Sequence, residues 1–272
     1  MLEENNSPLG KTVFYKDTYD KNLLFPLPRK KKRIEIGITD SLPFNGFDIW
    51  NAYEISWLNV KGKPEVALAE IIIPCETPYL IESKSFKLYF NSFNQTCFPS
   101  IDAVKEILIR DLAEAVQGNV NVNIMFIRDV PKKMITSFSG ICLDTLDIIC
   151  DTYSVEPRFL KIEDEEVIET LYSDLLKSNC LVTGQPDWAS VQIMYKGKKI
   201  SHESLLQYLI SFRQHNEFHE QCIERIFIDI MQHCHPQELT VYGRYTRRGG
   251  LDINPIRSTH LKSPQNIRLC RQ

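Results

Sequence analysis

DIWNAYEISWLNVKGKPEVALAEIIIP, residues 48–74, reads as strand, turn, strand. Both flanks are rich in β-branched and aromatic residues, and the Gly/Pro connection between them is short enough to close a hairpin. After a Pro99-Ser100 stop, Ile101, Val104, Ile107, Leu108, Leu112 and Val116 recur at steps of three and four, which predicts a helix. VNVNIMFI (120–127) is the expected sheet partner, so the first half runs strand, strand, helix, strand.

The second half repeats that order. WASVQIMY (188–195) alternates as a strand, KGKK is expected to turn the chain, and Ser201 is placed to cap a helix. Apolar positions then recur at 205, 209, 212, 223, 226, 227 and 230, with a break expected in RQHNEFHE (213–220). ELTVYGRYTRRGG (238–250) closes the half as a strand ending in a Gly/Arg-rich turn. Two similar halves predict a duplicated α+β module. The expected boundaries are an arm over 1–45, a first module over 46–135 and a second over 136–272.

Composition bounds the function. A net charge of −3 and a pI near 6.1 give no global attraction to nucleic acid or an anionic membrane. PRKKKR (28–33) is read as part of an extended, solvated arm, with direct RNA contact as the lesser alternative. The N-terminal residues do not read as a signal peptide and no stretch has the length of a membrane span, so a cytoplasmic protein is expected. Eight cysteines without a CxxC pair argue for reduced thiols rather than disulfides or a zinc knuckle.

One of those thiols, Cys180, lies in the polar stretch KSNCLVTGQPDW, seven positions before Asp187. It is either a small buried apolar group or a nucleophile. An ionised aspartate would disfavour a thiolate, whereas a protonated one can donate a proton after attack, so Asp187 is read as a neutral acid. His215 and His219 lack the glutamate spacing of a zinc helix, and no metal is expected. Glu82 and Glu220 are candidate acceptors for ligand N–H groups. Lys84, Lys87, Arg244, Arg247 and Arg248 beside Gly249-Gly250 are candidate phosphate contacts.

Four stretches carry a resemblance: ESKSFKLYFNSFNQ (82–95), LKSNCLVTGQPDW (176–188), SFRQHNEFHEQCIERI (211–226) and YTRRGGLDINPIRS (245–258). Together they resemble the long, two-module form of the NADPH-dependent 7-cyano-7-deazaguanine reductase (QueF) family. The resemblance implies tandem tunnelling-fold (T-fold) modules, antiparallel sheets with helices on one face, assembled as a homodimer. It also implies that a cysteine adds to the nitrile of 7-cyano-7-deazaguanine to give a thioimide. Two NADPH then reduce that adduct to the aminomethyl product used for queuosine in tRNA. Carried over by motif, Cys180 is the nucleophile and Asp187 the proton donor. Ile81, Glu82, Ser83, His219 and Glu220 bind the deazaguanine, and Ser83, Lys84, Arg248 and Gly249 contact NADPH. The competing readings are a cysteine hydrolase using Cys180, His219 and Asp187, and a tRNA-binding module built on the basic segments.

Overall fold

The computed structural model describes residues 15–131, 134–260 and 265–272. In chain order the elements are β1 (Pro26–Pro28), α1 (Lys30–Glu35), β2 (Asn45–Leu58), β3 (Pro64–Pro74), β4 (Tyr79–Ile81), α2 (Ser83–Asn91), α3 (Ile101–Val116), β5 (Asn121–Phe126), β6 (Ile141–Cys142), β7 (Ile162–Asn179), β8 (Pro186–Ile200), α4 (His202–Ser211), α5 (His219–Cys234), β9 (Glu238–Tyr245) and β10 (Leu251–Ser258). The class is α+β: β3 pairs β5, β7 pairs β8, β8 pairs β9 and β9 pairs β10 antiparallel, and the two-residue β6 joins β7 in parallel.

Two compact units form. Within the described residues the first comprises 15–31, 49–131 and 247–252, and the second 32–48, 134–246, 253–260 and 265–272. This grouping differs from the expected linear division, because the segment after Lys31 and the last strand are shared out between units rather than following chain order.

In the first unit β3 lies between β2 and β5, with Ala67 opposite Phe126 and Ile72 opposite Asn121. The predicted helix is α3. Its Val104, Leu108, Leu112 and Val116 are fully buried, Ser100 Oγ accepts from Ala103 N at 3.1 Å, and Gln117 ends it in the left-handed region. In the second unit the strand order is β10-β9-β8-β7-β6. The helical break falls where expected, between α4 and α5, and Leu205, Leu209, Phe212, Ile223, Ile226, Phe227 and Ile230 are all at most 1% exposed. Ser201 stands at the cap position of α4 without a side-chain cap bond.

Two sequence expectations are corrected. KGKK does not turn the chain: it continues β8, because Lys198 meets Asp164 at 2.9 Å and Lys199 meets Glu163 at 3.1 Å across the β7–β8 ladder. The basic segment is not a solvated arm, since its described residues fold into β1 and α1. Arg29 is 2% exposed, and Arg33 is paired with buried Glu224 at 2.9 and 2.7 Å. SKSFKLYFN folds as α2, which buries Phe86, Tyr89 and Phe90. Residues 1–14 of the expected arm lie outside the described residues.

The two units repeat one set of hydrogen bonds. At the tip of the β2–β3 hairpin Asn59 N donates to Lys63 O (2.9 Å) and Gly62 N to Asn59 O (2.8 Å). At the tip of the β7–β8 hairpin Cys180 N donates to Gln185 O (2.8 Å) and Gly184 N to Cys180 O (3.0 Å). Leu58 exchanges backbone bonds with Thr96 and Phe98, as Asn179 does with His215 and Glu217. Tyr89 donates to Asp111 between α2 and α3, as Tyr208 does to Asp229 between α4 and α5. These matches, with Ala67 opposite Phe126 and Ala189 opposite Tyr245, superpose Asn59 on Cys180, Glu65 on Asp187, Trp57 on Ser178 and Phe126 on Tyr245.

Candidate active site

Strand parity assembles the site. Ser178 lies directly across the ladder from Asp187, and Asn179 across from Pro186. Side chains alternate between faces, so Ser178, Cys180 and Asp187 share one face. That face is the buried one: the three are 0%, 8% and 4% exposed, while Pro186 and Trp188 face outward. Cys180 is diagonal to Asp187, a backbone separation of about 7–8 Å that side chains can bridge in part. Its thiol is free.

The first turn of α5 is laid over this face. His219, its first residue, places Nε2 3.4 Å from Asp187 Oδ2, and its ring stacks on Tyr245 with centroids 3.8 Å apart and planes 11° apart. Tyr245 comes from the last position of β9, one strand beyond Asp187. Its hydroxyl lies by Ser178 and Cys222, yet neither contact closes to hydrogen-bond geometry. Ser178 Oγ, His219 Nδ1 and Tyr245 OH are thus buried polar atoms with no hydrogen-bond partner among the described residues. Such atoms in a native protein call for an explanation. Burial above all holds the Tyr245 phenol well above its ordinary range, so it remains an O–H donor. Burial and Glu217 push the Cys222 thiol up to about 12.

Glu217 fixes where that turn sits. It is 1% exposed and takes two bonds from Arg225, at 2.9 and 2.8 Å, and one contact from His215 Nε2 at 2.9 Å. Burial alone would raise its carboxyl, but His215 and Arg225 outweigh it and hold the group below the usual range. Through its backbone N–H, Glu217 donates to Asn179 O at 3.1 Å, the residue before the thiol. Lys177 completes the clamp by donating to Asn179 Oδ1 and Arg213 O. Glu220, in the same turn as His219, is 3% exposed. His215 precedes α5, so it and His219 do not form an i, i+4 pair on one helix. Among the described residues no three His, Cys, Asp or Glu side chains converge as metal ligands.

The remaining predicted residues belong to the first unit, except Arg244, which is in the second. Ile81 ends β4 and is 1% exposed; Glu82 is fully buried and caps α2, with its carboxylate accepting from Lys84 N at 2.7 Å and Ser85 N at 2.8 Å. Burial raises the Glu82 carboxyl against the pull of those two N–H groups. Because Glu82 takes the Lys84 N–H, Lys84 has its side chain rather than its backbone to offer an anion, and Ser83 Oγ itself donates to Glu82 Oε1 at 3.4 Å. Arg248, Gly249, Gly250 and Leu251 form a tight turn with φ of +60° and +80° at the two glycines, and Arg248 N bonds Leu251 O at 2.8 Å. A Cβ on Gly249 would stand 2.9 Å from Lys87 Cδ, so the turn packs on the Lys87 stem. Arg247 lies over the Tyr53 ring at 3.9 Å. Arg244 does not join them: it is 2% exposed and spent on Gln272, Tyr242, Asn266 and Ile267.

Sequence reading had not singled out Ser178, Glu217 or Tyr245. Ser178 was recoverable by counting back from the hairpin tip to the position facing Asp187. Tyr245 and Glu217 depend on contacts that no local pattern encodes.

An α+β protein of repeated units, with a buried thiol on the same sheet face as a carboxylate–imidazole pair, is a candidate cysteine enzyme. The comparisons name the family. A model described as nitrile reductase, 7-cyano-7-deazaguanine-reductase N-term, matches residues 15–124, and one described as QueF-like protein matches 186–264. An NADPH-dependent 7-cyano-7-deazaguanine reductase of Legionella pneumophila (strain Corby) is 59% identical over 272 residues, 98% of this chain and 95% of the relative. Proteins of that same name from Cupriavidus metallidurans and Burkholderia multivorans are 58% and 53% identical, each over 100% of both chains. The chain belongs to the NADPH-dependent 7-cyano-7-deazaguanine reductase family.

Proposed function

We propose that this protein reduces the nitrile of 7-cyano-7-deazaguanine to an aminomethyl group with two NADPH, a step toward queuosine, and that Cys180 is the nucleophile. The observation that carries the assignment is the shared buried face of Cys180 and Asp187, with His219 3.4 Å from the carboxylate. A nitrile carbon is electrophilic, and its nitrogen needs a proton as sulfur adds; a thiol and an acid on one face supply both.

In this reading Cys180 forms the S–C bond and Asp187 delivers hydrogen to nitrogen, with His219 orienting the acid. Glu82 and Glu220 are the proposed acceptors for deazaguanine N–H groups, and Ile81, Ser83 and His219 its further proposed contacts. The residues proposed for the cofactor suit a polyanion: Ser83 and Lys84 at the start of α2, and Arg248 and Gly249 on a turn backed by Lys87. Bound NADPH supplies hydride. The tandem T-fold belongs to the same proposal, supported by the repeated hydrogen bonds, as do the homodimer and the cytoplasmic location. No helix among the described residues is long and apolar enough to cross a membrane. The proposal includes no direct role for nucleic acid.

The test follows NADPH absorbance with and without the nitrile. Wild type consumes NADPH only with the nitrile present, and Cys180→Ala does not. Full-rate consumption by Cys180→Ala removes Cys180 from the mechanism; product formed without reductant favours a cysteine hydrolase.

A further inference from the structure

The duplication supplies an internal control. Asn59 stands where the other unit has Cys180, so the first unit holds a corresponding hairpin, one residue shorter at the tip and without a nucleophile. There the counterparts of Ser178 and Tyr245 are Trp57 and Phe126, whose rings pack at 5.9 Å and leave no hydroxyl to satisfy. The fold therefore accepts an apolar pair at these two positions. In the thiol-bearing unit the same positions carry two buried hydroxyls without partners, beside a third orphan, His219 Nδ1. Buried polar atoms without a protein partner are ordinarily satisfied by enclosed water.

We propose that Ser178 and Tyr245 are positioning residues that hold one water molecule against the Asp187–His219 pair, and through it return protons to Asp187 during reduction. Resting on the reductase reading above, the proposal adds the route by which hydrogen re-enters. Addition of the thiol is internally balanced: the S–C bond forms, and the hydrogen lost by sulfur is matched by the one gained by nitrogen. No proton is drawn from solvent. Reduction differs. The carbon receives two hydrides, the S–C bond breaks with its electrons leaving on sulfur, and two protons must enter to leave an amine and a thiol. Asp187 is 4% exposed, so after each transfer it needs a path for refilling. Ser178 faces it across the ladder, and Tyr245 lies beside Ser178 and beneath the His219 ring. Along such a chain each oxygen accepts one hydrogen and passes on another, so none is consumed.

The experiment separates the two phases. Ser178→Ala, Tyr245→Phe and Ser178→Thr are each mixed with 7-cyano-7-deazaguanine alone, and the adduct is followed by intact mass and near-ultraviolet absorbance. Turnover with NADPH is then measured in H2O and in D2O. The expected result is adduct formation within about twofold of wild type, turnover slowed about tenfold or more with an enlarged solvent isotope effect for Ser178→Ala and Tyr245→Phe, and rescue by Ser178→Thr. Wild-type turnover with an ordinary isotope effect in both hydroxyl-free variants overturns the proposal. Equal loss of adduct formation and turnover also overturns it, since that marks a structural role. Failure of wild type to form any adduct would instead remove the reductase reading itself.

Discussion

Replacing Glu217 by glutamine perturbs the anchor of the candidate site without changing its shape. The carboxylate is 1% exposed and receives two bonds from Arg225 and one contact from His215. An amide keeps one acceptor oxygen, loses the charge and turns an N–H2 toward the guanidinium. Breaking a fully buried ion pair costs about 3–5 kcal/mol. Arg225 retains 19% side-chain exposure and the amide still accepts one bond, so a discounted loss of roughly 2–3 kcal/mol is expected. For a chain of this size that lowers the melting temperature by about 4–12 °C. The pH dependence is a second, independent readout. The folded-state carboxyl sits below its ordinary value, so its contribution is complete above the unfolded pKa of about 4.3 and is lost as pH falls through the folded value. Urea unfolding of both proteins at pH 7 and below pH 4 should therefore show a gap that narrows in acid. A gap under about 0.5 kcal/mol at pH 7, or one that persists unchanged in acid, refutes the clamp. Because the Glu217 backbone holds Asn179, the variant is also expected to form adduct more slowly.

Other consequences can be checked separately. Gly249→Ala places a Cβ against the Lys87 stem at a φ of +60°, so the NADPH KM should rise several-fold while adduct formation without NADPH stays within about twofold. Glu82→Ala removes the acceptor for Lys84 N and Ser85 N and should cost about 0.5–2 kcal/mol in urea unfolding. Since burial raises the Glu82 carboxyl, its ionisation disfavours the folded state; the penalty of Glu82→Gln should shrink between pH 4 and pH 7. Cys222, buried with a thiol pushed up to about 12, should resist iodoacetamide at pH 8 until the chain is unfolded, while exposed Cys97 and Cys270 react.

What was legible in the sequence follows from how local the cause is. The β2–β3 hairpin, α3 and the α4–α5 break each carry their own periodicity, and their apolar positions are buried as the spacing requires. The long strand β7 was not legible: its IEDEEVIET start has no apolar alternation and is a strand because β8 pairs it, partly through lysines. The same pairing overrides the turn chemistry of KGKK. Arg33 read as solvated charge because its partner Glu224 is 191 positions away. Cys180 and Asp187 were singled out for their spacing and chemistry, whereas the face they share depends on the β7–β8 pairing, which no local pattern in β7 announces. His219 joins them only through the packing of α5, and the role of Tyr245 rests on a strand that meets β8 from fifty-odd positions downstream.

Intact mass of the protein mixed with 7-cyano-7-deazaguanine in the absence of NADPH tests the central claim most directly. The account predicts a gain of one nitrile molecule per chain, mapped to Cys180 by peptide analysis, absent in Cys180→Ala and discharged when NADPH is added. Undiminished adduct on Cys180→Ala, or wild-type turnover through no covalent species, would contradict it.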